Sequence, residues 1–210
     1  MCANTIRDQI EDYLRDLYDY EDPVRHEMEA LAEERNFPII GPLAGRHLFQ
    51  LARMIEARRV FELGSGYGYS ALFYARAVGD DGIVHCTELS ANNIELAEDF
   101  LTRAGVWQQI TYHQEEGTAA LRRVGGIWDI VYNDIDKAGY PATIELAYEH
   151  LRPGGLFITD NIFWDGRTLR GETDPDTQGI REFIRRLFAH PGFMTTIYAV
   201  RDGVAVALRQ

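Results

Sequence analysis

Three polar side chains in the second half of the chain have the chemistry of a cation site. Asp134 follows one short apolar run, and Asp160 and Asn161 follow another. In an open α/β sheet, ligands bind beyond the carboxyl ends of the strands, so we expect these groups to meet there. Two carboxylates and a carboxamide are hard ligands suited to Mg²⁺, Mn²⁺ or Ca²⁺, with substrate oxygens and water completing the shell. The alternative is that they only cap loops and the following helices.

Lys137 is the only lysine in a chain with 21 basic residues, the others being arginine. It follows Asp134 by three residues and should project near the same crevice. Arginine stays charged, whereas a lysine beside a divalent cation has its ammonium form disfavoured, so a neutral amine base is conceivable. An acid, a metal and a base in one cleft imply a reaction that deprotonates a hydroxyl. The alternative is chance survival of one lysine in an arginine-biased composition.

A glycine-rich turn supplies the second chemical feature. A short apolar run ends in glycines at 64, 66 and 68, and the following residues have helical spacing, which predicts strand, tight turn and helix. Such a turn lets a ligand approach the backbone and the N–H groups of the next helix. The spacing G-x-G-x-G differs from the dinucleotide pattern G-x-G-x-x-G, so a pyrophosphate is not the natural ligand.

Glu88 ends the next predicted strand, where its carboxylate can accept hydrogen bonds from ribose hydroxyls. Together with the glycine turn it indicates a small cofactor that contains a nucleoside. The alternative is a plain β-α turn followed by a surface glutamate.

Alternating strands and helices must position these groups. We predict an α/β fold: a Rossmann-like, doubly wound, seven-stranded sheet, mostly parallel, with a C-terminal antiparallel hairpin and preceded by N-terminal helices. The predicted strands are about 59–63, 83–88, 109–113, 128–133 and 156–159, followed by a hairpin of 193–200 and 204–208 around Asp202-Gly203. Pro153-Gly154-Gly155 is predicted to be a turn leading into the fifth strand.

The first part of the chain is predicted to be helical. Apolar spacing predicts amphipathic helices over about 5–20 and 24–35, then an extended segment over 37–42 and a helix over 43–56. Ser90 is a candidate N-cap for a helix through Leu101, and a last helix is predicted near 177–189.

Length and composition bound the class of protein. The 210 residues suit a single domain over 1–210. The net charge of −12 argues against a nucleic-acid or anionic-membrane surface. No apolar run reaches the roughly 18 residues of a membrane span, and the acidic N-terminus has no apolar signal segment. Only Cys2 and Cys86 are present, which fits a reducing, cytoplasmic compartment.

These motifs resemble the cation-dependent class I O-methyltransferases, the family of catechol and caffeoyl-CoA O-methyltransferases. Residues 61–70, Phe-Glu-Leu-Gly-Ser-Gly-Tyr-Gly-Tyr-Ser, resemble the family's S-adenosylmethionine (SAM) loop, and Glu88 matches its ribose-binding acid. Residues 133–137, Asn-Asp-Ile-Asp-Lys, resemble its Asp-Ala-Asp-Lys stretch, and Asp160-Asn161 matches the remaining metal pair. The resemblance runs from about residue 37 to the end, and also includes Ile39-Ile40-Gly41 and Arg201-Asp202-Gly203.

The resemblance implies a set of roles. It assigns Lys137 as general base and Asp134 as a catalytic residue that binds both metal and cofactor, with Asp160 and Asn161 as the other metal ligands. The implied cofactor contacts are Ile40, Glu62, Gly64, Gly66, Gly68, Ser70, Glu88, Gly117 and Asp134. Glu115-Glu116-Gly117-Thr118 only loosely resembles the Gly-Asp-Ala that borders the adenine. Residues 1–36 correspond to the variable N-terminal helices, residues 37–210 to the core, and a homodimer is expected from the resemblance.

The residues and the resemblance together predict methyl transfer from SAM to a hydroxyl of a metal-chelated vicinal diol, such as a catechol or another phenolic small molecule. Trp164, Phe163 and Tyr140 could sandwich its ring, although such aromatics are more often core. Arg167 and Arg170 could meet an anionic tail such as a CoA phosphate, although surface salt bridging is the commoner role.

Three alternatives remain open. A nicotinamide oxidoreductase would need a different glycine spacing and a hydride-transfer set. A metal-independent methyltransferase acting on another nucleophile would leave the strand-end acids without a shared task. A non-catalytic SAM-binding or scaffold protein would bind the cofactor without turnover.

Overall fold

The computed structural model describes residues 6–18 and 21–210, and a seven-stranded sheet lies at their centre. The strands are β1 (Arg59–Leu63), β2 (Ile83–Thr87), β3 (Ile110–His113), β4 (Trp128–Asn133), β5 (Leu151–Thr159), β6 (Phe193–Tyr198) and β7 (Val204–Arg209). They are arranged in the order β3-β2-β1-β4-β5-β7-β6. The first five pair in parallel, while β7 is antiparallel to both β5 and β6. This confirms the predicted sheet and its C-terminal hairpin.

Helices cover both faces of the sheet. They are α1 (Ile6–Tyr18), α2 (Pro23–Arg35), α3 (Gly41–Met54), α4 (Tyr69–Val78), α5 (Ala91–Arg103), α6 (Gly117–Val124), α7 (Thr143–His150), α8 (Arg167–Arg170) and α9 (Pro175–Ala189). Buried side chains of α2 to α5 share one apolar core with the sheet, and those of α6, α7 and α9 share the other. The fold is therefore doubly wound, as predicted.

Helix starts follow local sequence. Asp22 caps α2 by accepting from the N–H of Arg25, and Pro23 occupies the first turn, where its missing N–H costs nothing. The Ser90 hydroxyl accepts from the N–H of Asn93 at 3.4 Å, which confirms the predicted cap of α5.

Two boundaries differ from the prediction. Helix α3 begins at Gly41 rather than at residue 43, because Pro42 suits the first turn of a helix instead of breaking it. Strand β5 begins at Leu151 rather than near 156, because Pro153-Gly154-Gly155 forms an irregularity within the strand: Trp128 pairs with Leu151, yet Ile130 pairs with Leu156.

Some sequence predictions fall partly outside the described residues. The helix predicted over 5–20 is described over Ile6–Tyr18, and Cys2 is not described. Cys86 is a buried free thiol in β2. Across residues 6–18 and 21–210, no helix is both long and apolar enough to cross a membrane.

Candidate active site at the carboxyl edge of the sheet

The turn between β1 and α4 requires its glycines. Gly64, Gly66 and Gly68 all have positive φ, at 81°, 50° and 88°. The loop is fastened to the next strand through Thr87, whose hydroxyl accepts from the N–H of Gly64 at 2.9 Å and whose carbonyl accepts from the N–H of Ser65 at 2.9 Å. The sequence reasoning missed Thr87, because a threonine at the end of a strand carries no local signal of this role.

Glu88 stands beside this loop at the end of β2. Its Oε1 accepts from the backbone N–H groups of Leu89 at 2.9 Å and Ser90 at 2.8 Å, which fixes the carboxylate on the cleft wall. The predicted ribose acid is thus positioned next to the glycine turn.

Gly117 forms the third side of this region at the start of α6. A Cβ on Gly117 would lie 3.0 Å from Leu63 Cβ and 3.1 Å from Thr87 Oγ1, so the close approach of α6 to β1 depends on glycine. Glu116 caps the helix, accepting from the N–H groups of Thr118 at 2.9 Å and Ala119 at 2.8 Å.

The structure places two predicted cofactor residues away from the cleft. Glu62 is fully buried beneath the turn, with Oε2 3.6 Å from the thiol sulfur of Cys86. Gly68 packs inward, where a Cβ would lie 2.9 Å from Leu101 Cδ1 and 3.0 Å from the Tyr112 hydroxyl. Both residues belong to the glycine motif, in which Glu62 lies in β1 and Gly68 in the turn. Successive side chains along β1 point to opposite faces of the sheet, and the Glu62 side chain points into the core.

A buried carboxylate, Asp160, and a partly buried one, Asp134, meet at the ends of β5 and β4. The ladder continues past both strands, since the N–H of Asp134 donates to the carbonyl of Leu63 and the N–H of Asp160 donates to that of Asn133. Asp160 is 3% exposed. Burial, and then the negative charge of Asp134, raise the pKa of Asp160 to about 7. The sheet therefore brings the predicted acidic pair together.

Lys137 lies against this pair. Its Nζ donates to Asp134 Oδ1 at 2.7 Å and to the carbonyl of Ile135 at 3.3 Å, and the side chain is only 12% exposed. The Nζ also lies 5.5 Å from the ring centroids of Tyr140 and Trp164. A short 3₁₀ segment, Lys137–Ala142, begins at this residue and aims it back at the end of β4.

The three predicted aromatic residues have three different surroundings. Tyr140 is fully buried and donates to the carbonyl of Asp160 at 3.1 Å, so it is a core residue. Trp164 lines the cleft, with a φ of 50°. Phe163 lines a neighbouring cavity instead. Only Trp164 is placed to contact a ring in the cleft.

Arg201 closes one side of the cleft from the turn between β6 and β7. Its Nη1 donates to the carbonyl of Ile39, which ties the hairpin to the segment that precedes α3. The next residues hold the loop after β5: the carbonyl of Asp202 accepts from the N–H of Phe163 at 2.7 Å and that of Gly203 from the N–H of Ile162 at 3.0 Å. The sequence reasoning quoted Arg201 within a motif but assigned it no position in the site.

These elements enclose one cleft of about 1140 Å³. It brings together most of the predicted site residues: Ile40, Gly64, Gly66, Ser70, Glu88, Gly117, Asp134, Lys137, Asp160 and Asn161. Among the described residues that line it, ten side chains are acidic and two, Lys137 and Arg201, are basic. The acids are Glu11, Glu88, Glu115, Glu116, Asp134, Asp136, Asp160, Asp165, Asp176 and Asp202.

The donor set at the acidic edge fits a divalent cation. Asp134, Asp160 and Asn161 offer two carboxylates and one carboxamide on adjacent strand ends, and the pKa of Asp160 is raised by burial first and then by the negative charge of Asp134, which a cation would compensate. No group of three His, Cys, Asp or Glu side chains suited to a metal occurs in the described part of the chain. Oxygen ligands of this kind suit a hard cation that also takes oxygens from substrate and water.

Arg167 and Arg170 are engaged elsewhere. Arg167 pairs with Glu172 at 2.7 Å and with Asp174 at 2.8 Å, and Arg170 pairs with Glu172 at 3.2 Å. The structure thus bears out the salt-bridging interpretation of these two arginines.

Several known proteins are similar to this chain in sequence. A family model described as O-methyltransferase matches residues 21–210. The chain is 30% identical over 217 aligned residues to a catechol O-methyltransferase of Niastella koreensis, with 98% of each chain covered. It is 32% identical over 196 residues to a catechol O-methyltransferase of Mycobacterium tuberculosis, covering 90% of this chain and 89% of the relative.

Solved structures agree with the sequence matches. An O-methyltransferase from Bacillus cereus in complex with SAH has a TM-score of 0.87 at 26% identity, covering 96% of this chain and 97% of the other. The O-methyltransferase TomG from Streptomyces achromogenes, in complex with SAM, has a TM-score of 0.87 at 26% identity and covers 96% of both chains.

Proposed function

We propose that this protein transfers the methyl group of SAM to one hydroxyl of a catechol-like vicinal diol, and that the transfer depends on a divalent metal. The chain belongs to the O-methyltransferase family and is a SAM-dependent enzyme of the catechol or caffeoyl-CoA type. The observation that carries this proposal is the arrangement of Asp134, Asp160 and Lys137 at one edge of the cleft that the glycine turn borders.

The glycine-turn side of the cleft would hold SAM, which supplies an electrophilic methyl group. The backbone at Gly64 and Gly66 would allow close approach of the cofactor, Glu88 would accept hydrogen bonds from the ribose hydroxyls, and Gly117 lines the same wall at the start of α6. Ile40 and Ser70 complete this wall. These residues orient the methyl toward the acidic edge, and such positioning of reactants can remove about 7 to 11 kcal/mol of barrier.

Asp134, Asp160 and Asn161 would hold the cation, which supplies a fixed site for two vicinal oxygens and lowers the pKa of a bound hydroxyl. Lys137 lies beside them and would accept the proton of the attacking hydroxyl in its neutral form. Its pairing with Asp134 keeps the Nζ at the carboxylate edge. Trp164 provides an aromatic wall within reach of the same Nζ.

Transfer of labelled methyl from SAM to catechol tests this proposal. Protein treated with chelator should be inactive and should regain activity with Mg²⁺, since the carboxylates alone cannot fix the diol. Asp160→Ala should lower turnover by on the order of a hundredfold or more while SAM still binds. The exposed carboxylate variant Asp81→Asn is the matched control. Full activity in chelator would remove the metal from the mechanism.

A metal-independent mechanism has one observation in its favour. The Lys137 ammonium already neutralises Asp134 at 2.7 Å, so a protein cation could hold an ionised phenol in place of a metal. The chelator experiment separates the two mechanisms, because only this one survives metal removal.

Further sequence predictions stay predictions: a single domain over 1–210, a cytoplasmic location, no nucleic-acid or membrane partner, and a homodimer. Exposed apolar side chains of α1 support a subunit contact, with Tyr13 63% and Leu17 58% exposed. Sedimentation analysis should give twice the chain mass of 23.9 kDa; a monomer at micromolar concentration would contradict the dimer.

A further inference from the structure

A second cavity of about 470 Å³ lies between α1, α3 and the turn that joins β6 to β7. This volume is within the roughly 300 to 1,000 Å³ of small-molecule sites. The mechanism described above uses none of it.

The second cavity adjoins the cleft. Glu11 and Arg201 line both spaces, and Phe163 on the cavity wall precedes Trp164 on the cleft wall. Glu11 and Arg201 therefore mark the wall that a ligand with its ring beside Trp164 would have to pass in order to reach the second cavity. Arg201 is held at this junction by its hydrogen bond to the carbonyl of Ile39.

The wall of the second cavity is mainly apolar. Ile6, Ile10, Leu14, Leu43 and Val200 line it, and Ile6 and Ile10 remain 72% and 52% exposed. Exposed apolar side chains around a concave surface favour an apolar occupant that removes them from water.

Three charged side chains also line the second cavity, Glu11, Arg46 and Arg201, and two of them have contacts that hold them against the wall: Arg201 donates to the carbonyl of Ile39, and Arg46 stacks over the ring of Tyr18 at 4.6 Å. His47 offers a buried Nε2 that has no hydrogen-bond partner among the described residues, and burial lowers its pKa, so the ring is neutral at physiological pH. His47 thus adds a neutral hydrogen-bonding group to a wall that is mainly apolar.

The charges around the cleft disfavour a polyanionic tail. Ten acidic side chains against two basic ones line it, and a field of that sign repels phosphates. Arg167 and Arg170, which from the sequence could meet a CoA phosphate, are instead paired with Glu172 and Asp174.

We propose that the second cavity binds the tail of the methyl acceptor, and that the acceptor is a free catechol bearing an uncharged, largely apolar extension rather than a CoA thioester. This inference rests on the proposed function, because it places the catechol ring beside Asp134 and Asp160. Specificity for the tail then resides in α1, α3 and the hairpin, away from the reacting atoms.

Three acceptors test the inference: catechol, 4-hexylcatechol and caffeoyl-CoA. We expect kcat/KM for 4-hexylcatechol to exceed that for catechol by at least about tenfold, since several methylenes leave water, and caffeoyl-CoA to be the poorest acceptor. Equal values for the first two, or preference for caffeoyl-CoA, would overturn it. Absence of turnover with every catechol would instead count against the proposed function.

Substitutions in the wall of the second cavity test whether this cavity causes the preference for 4-hexylcatechol. Ala199 lines the second cavity, so Ala199→Trp should reduce the ratio of kcat/KM for 4-hexylcatechol over catechol to about one. Ile10→Asp, at an exposed wall position, should reduce the same ratio if the tryptophan variant does not fold. Ala189→Trp, on an exposed residue at the end of α9, is the matched control and should keep the ratio. An unchanged ratio in folded Ala199→Trp and Ile10→Asp would refute the assignment.

A measurement of acceptor binding tests the tail site even where no turnover is observed. Calorimetric titration of 4-hexylcatechol into SAM-saturated protein should show at least about tenfold weaker binding for Ala199→Trp than for Ala189→Trp. Equal affinities would exclude the second cavity as the tail site, whatever the catalytic result.

Discussion

The two sides of the cleft are built in different ways. The cofactor side consists of backbone at Gly64 and Gly66, with Glu88 fixed by neighbouring N–H groups. The acidic side consists of Asp134, Lys137 and Asp160, whose charges are held close together and largely out of water. One side depends on conformation and the other on charge balance.

The two sides of the cleft should therefore tolerate different substitutions. The cofactor side is built mainly from backbone, so it should be sensitive to a Cβ added at one of its glycines. It should be less sensitive to a change of charge, because it holds few charged groups. A pair of carboxylates that is largely out of water is sensitive to the loss or gain of one charge, because partial burial has already made its ionised form costly. The two sides touch where a Cβ on Gly64 would lie 2.6 Å from the carbonyl oxygen of Asp134.

The largest effect should come from Lys137. Lys137→Met removes the proposed base and should reduce kcat by about 10² to 10⁴ fold, while calorimetry shows SAM affinity within a few fold of wild type. Lys137→Arg keeps the charge but cannot accept a proton, so it should be nearly as inactive. An arginine variant within a few fold of wild type would reduce Lys137 to an electrostatic role and remove the division between the two sides.

Gly64→Ala should break the contact between the two sides. The φ of 81° costs a non-glycine residue about 1 to 2 kcal/mol, and the 2.6 Å approach to Asp134 adds to that cost. We expect unfolding in urea to show a loss above about 2 kcal/mol, together with weaker SAM binding.

Gly105→Ala is the matched control for this substitution. Gly105 has a φ of 74° and nothing within 4 Å of its would-be Cβ, so it reports the strain alone. Equal losses for the two alanine variants would show that the contact between Gly64 and Asp134 contributes nothing.

Glu62 should give the stability a pH dependence. Burial raises its pKa from 4.5 to about 7, so the folded protein retains a proton that the unfolded chain releases. Stability should therefore fall as pH rises from about 4.5 to about 7 and then level off, by on the order of 3 kcal/mol at most. Glu62→Gln should remove this part of the slope in urea unfolding at pH 5 and pH 8, while exposed Glu98→Gln keeps it. An unchanged slope in Glu62→Gln would show that Glu62 is not the titrating group.

Glu88→Gln should have the smallest effect. The amide oxygen can still accept from Leu89 and Ser90, while the charge-assisted bonds to ribose weaken, so SAM affinity should fall by about tenfold. Sensitivity to chelator should not change, because Glu88 belongs to the cofactor side. A change in metal requirement would show that the two sides are coupled.

The types and spacing of neighbouring residues predicted the turns and helix caps, because these features depend on a few residues that are adjacent in the chain. The glycine spacing at 64, 66 and 68 and the Asp202-Gly203 hairpin reflect positive φ values that favour glycine, and the cap at Ser90 reflects a hydroxyl that accepts from a backbone N–H of the next helix. The bend within β5 was missed because the partner strand, not Pro153-Gly154-Gly155 itself, decides whether that segment pairs.

Residue spacing and chemistry were enough to predict the alternating fold, the positive-φ turn and the strand-end acids with a single lysine nearby, because each of these depends on a short stretch of the chain. The packing of distant elements was needed to show that Glu62 and Tyr140 are core residues while Trp164 faces the cleft. It also brought Arg201 to the carbonyl of Ile39. These outcomes depend on which face of a strand or loop meets another element far away in the chain, and one-dimensional spacing carries no information about that partner.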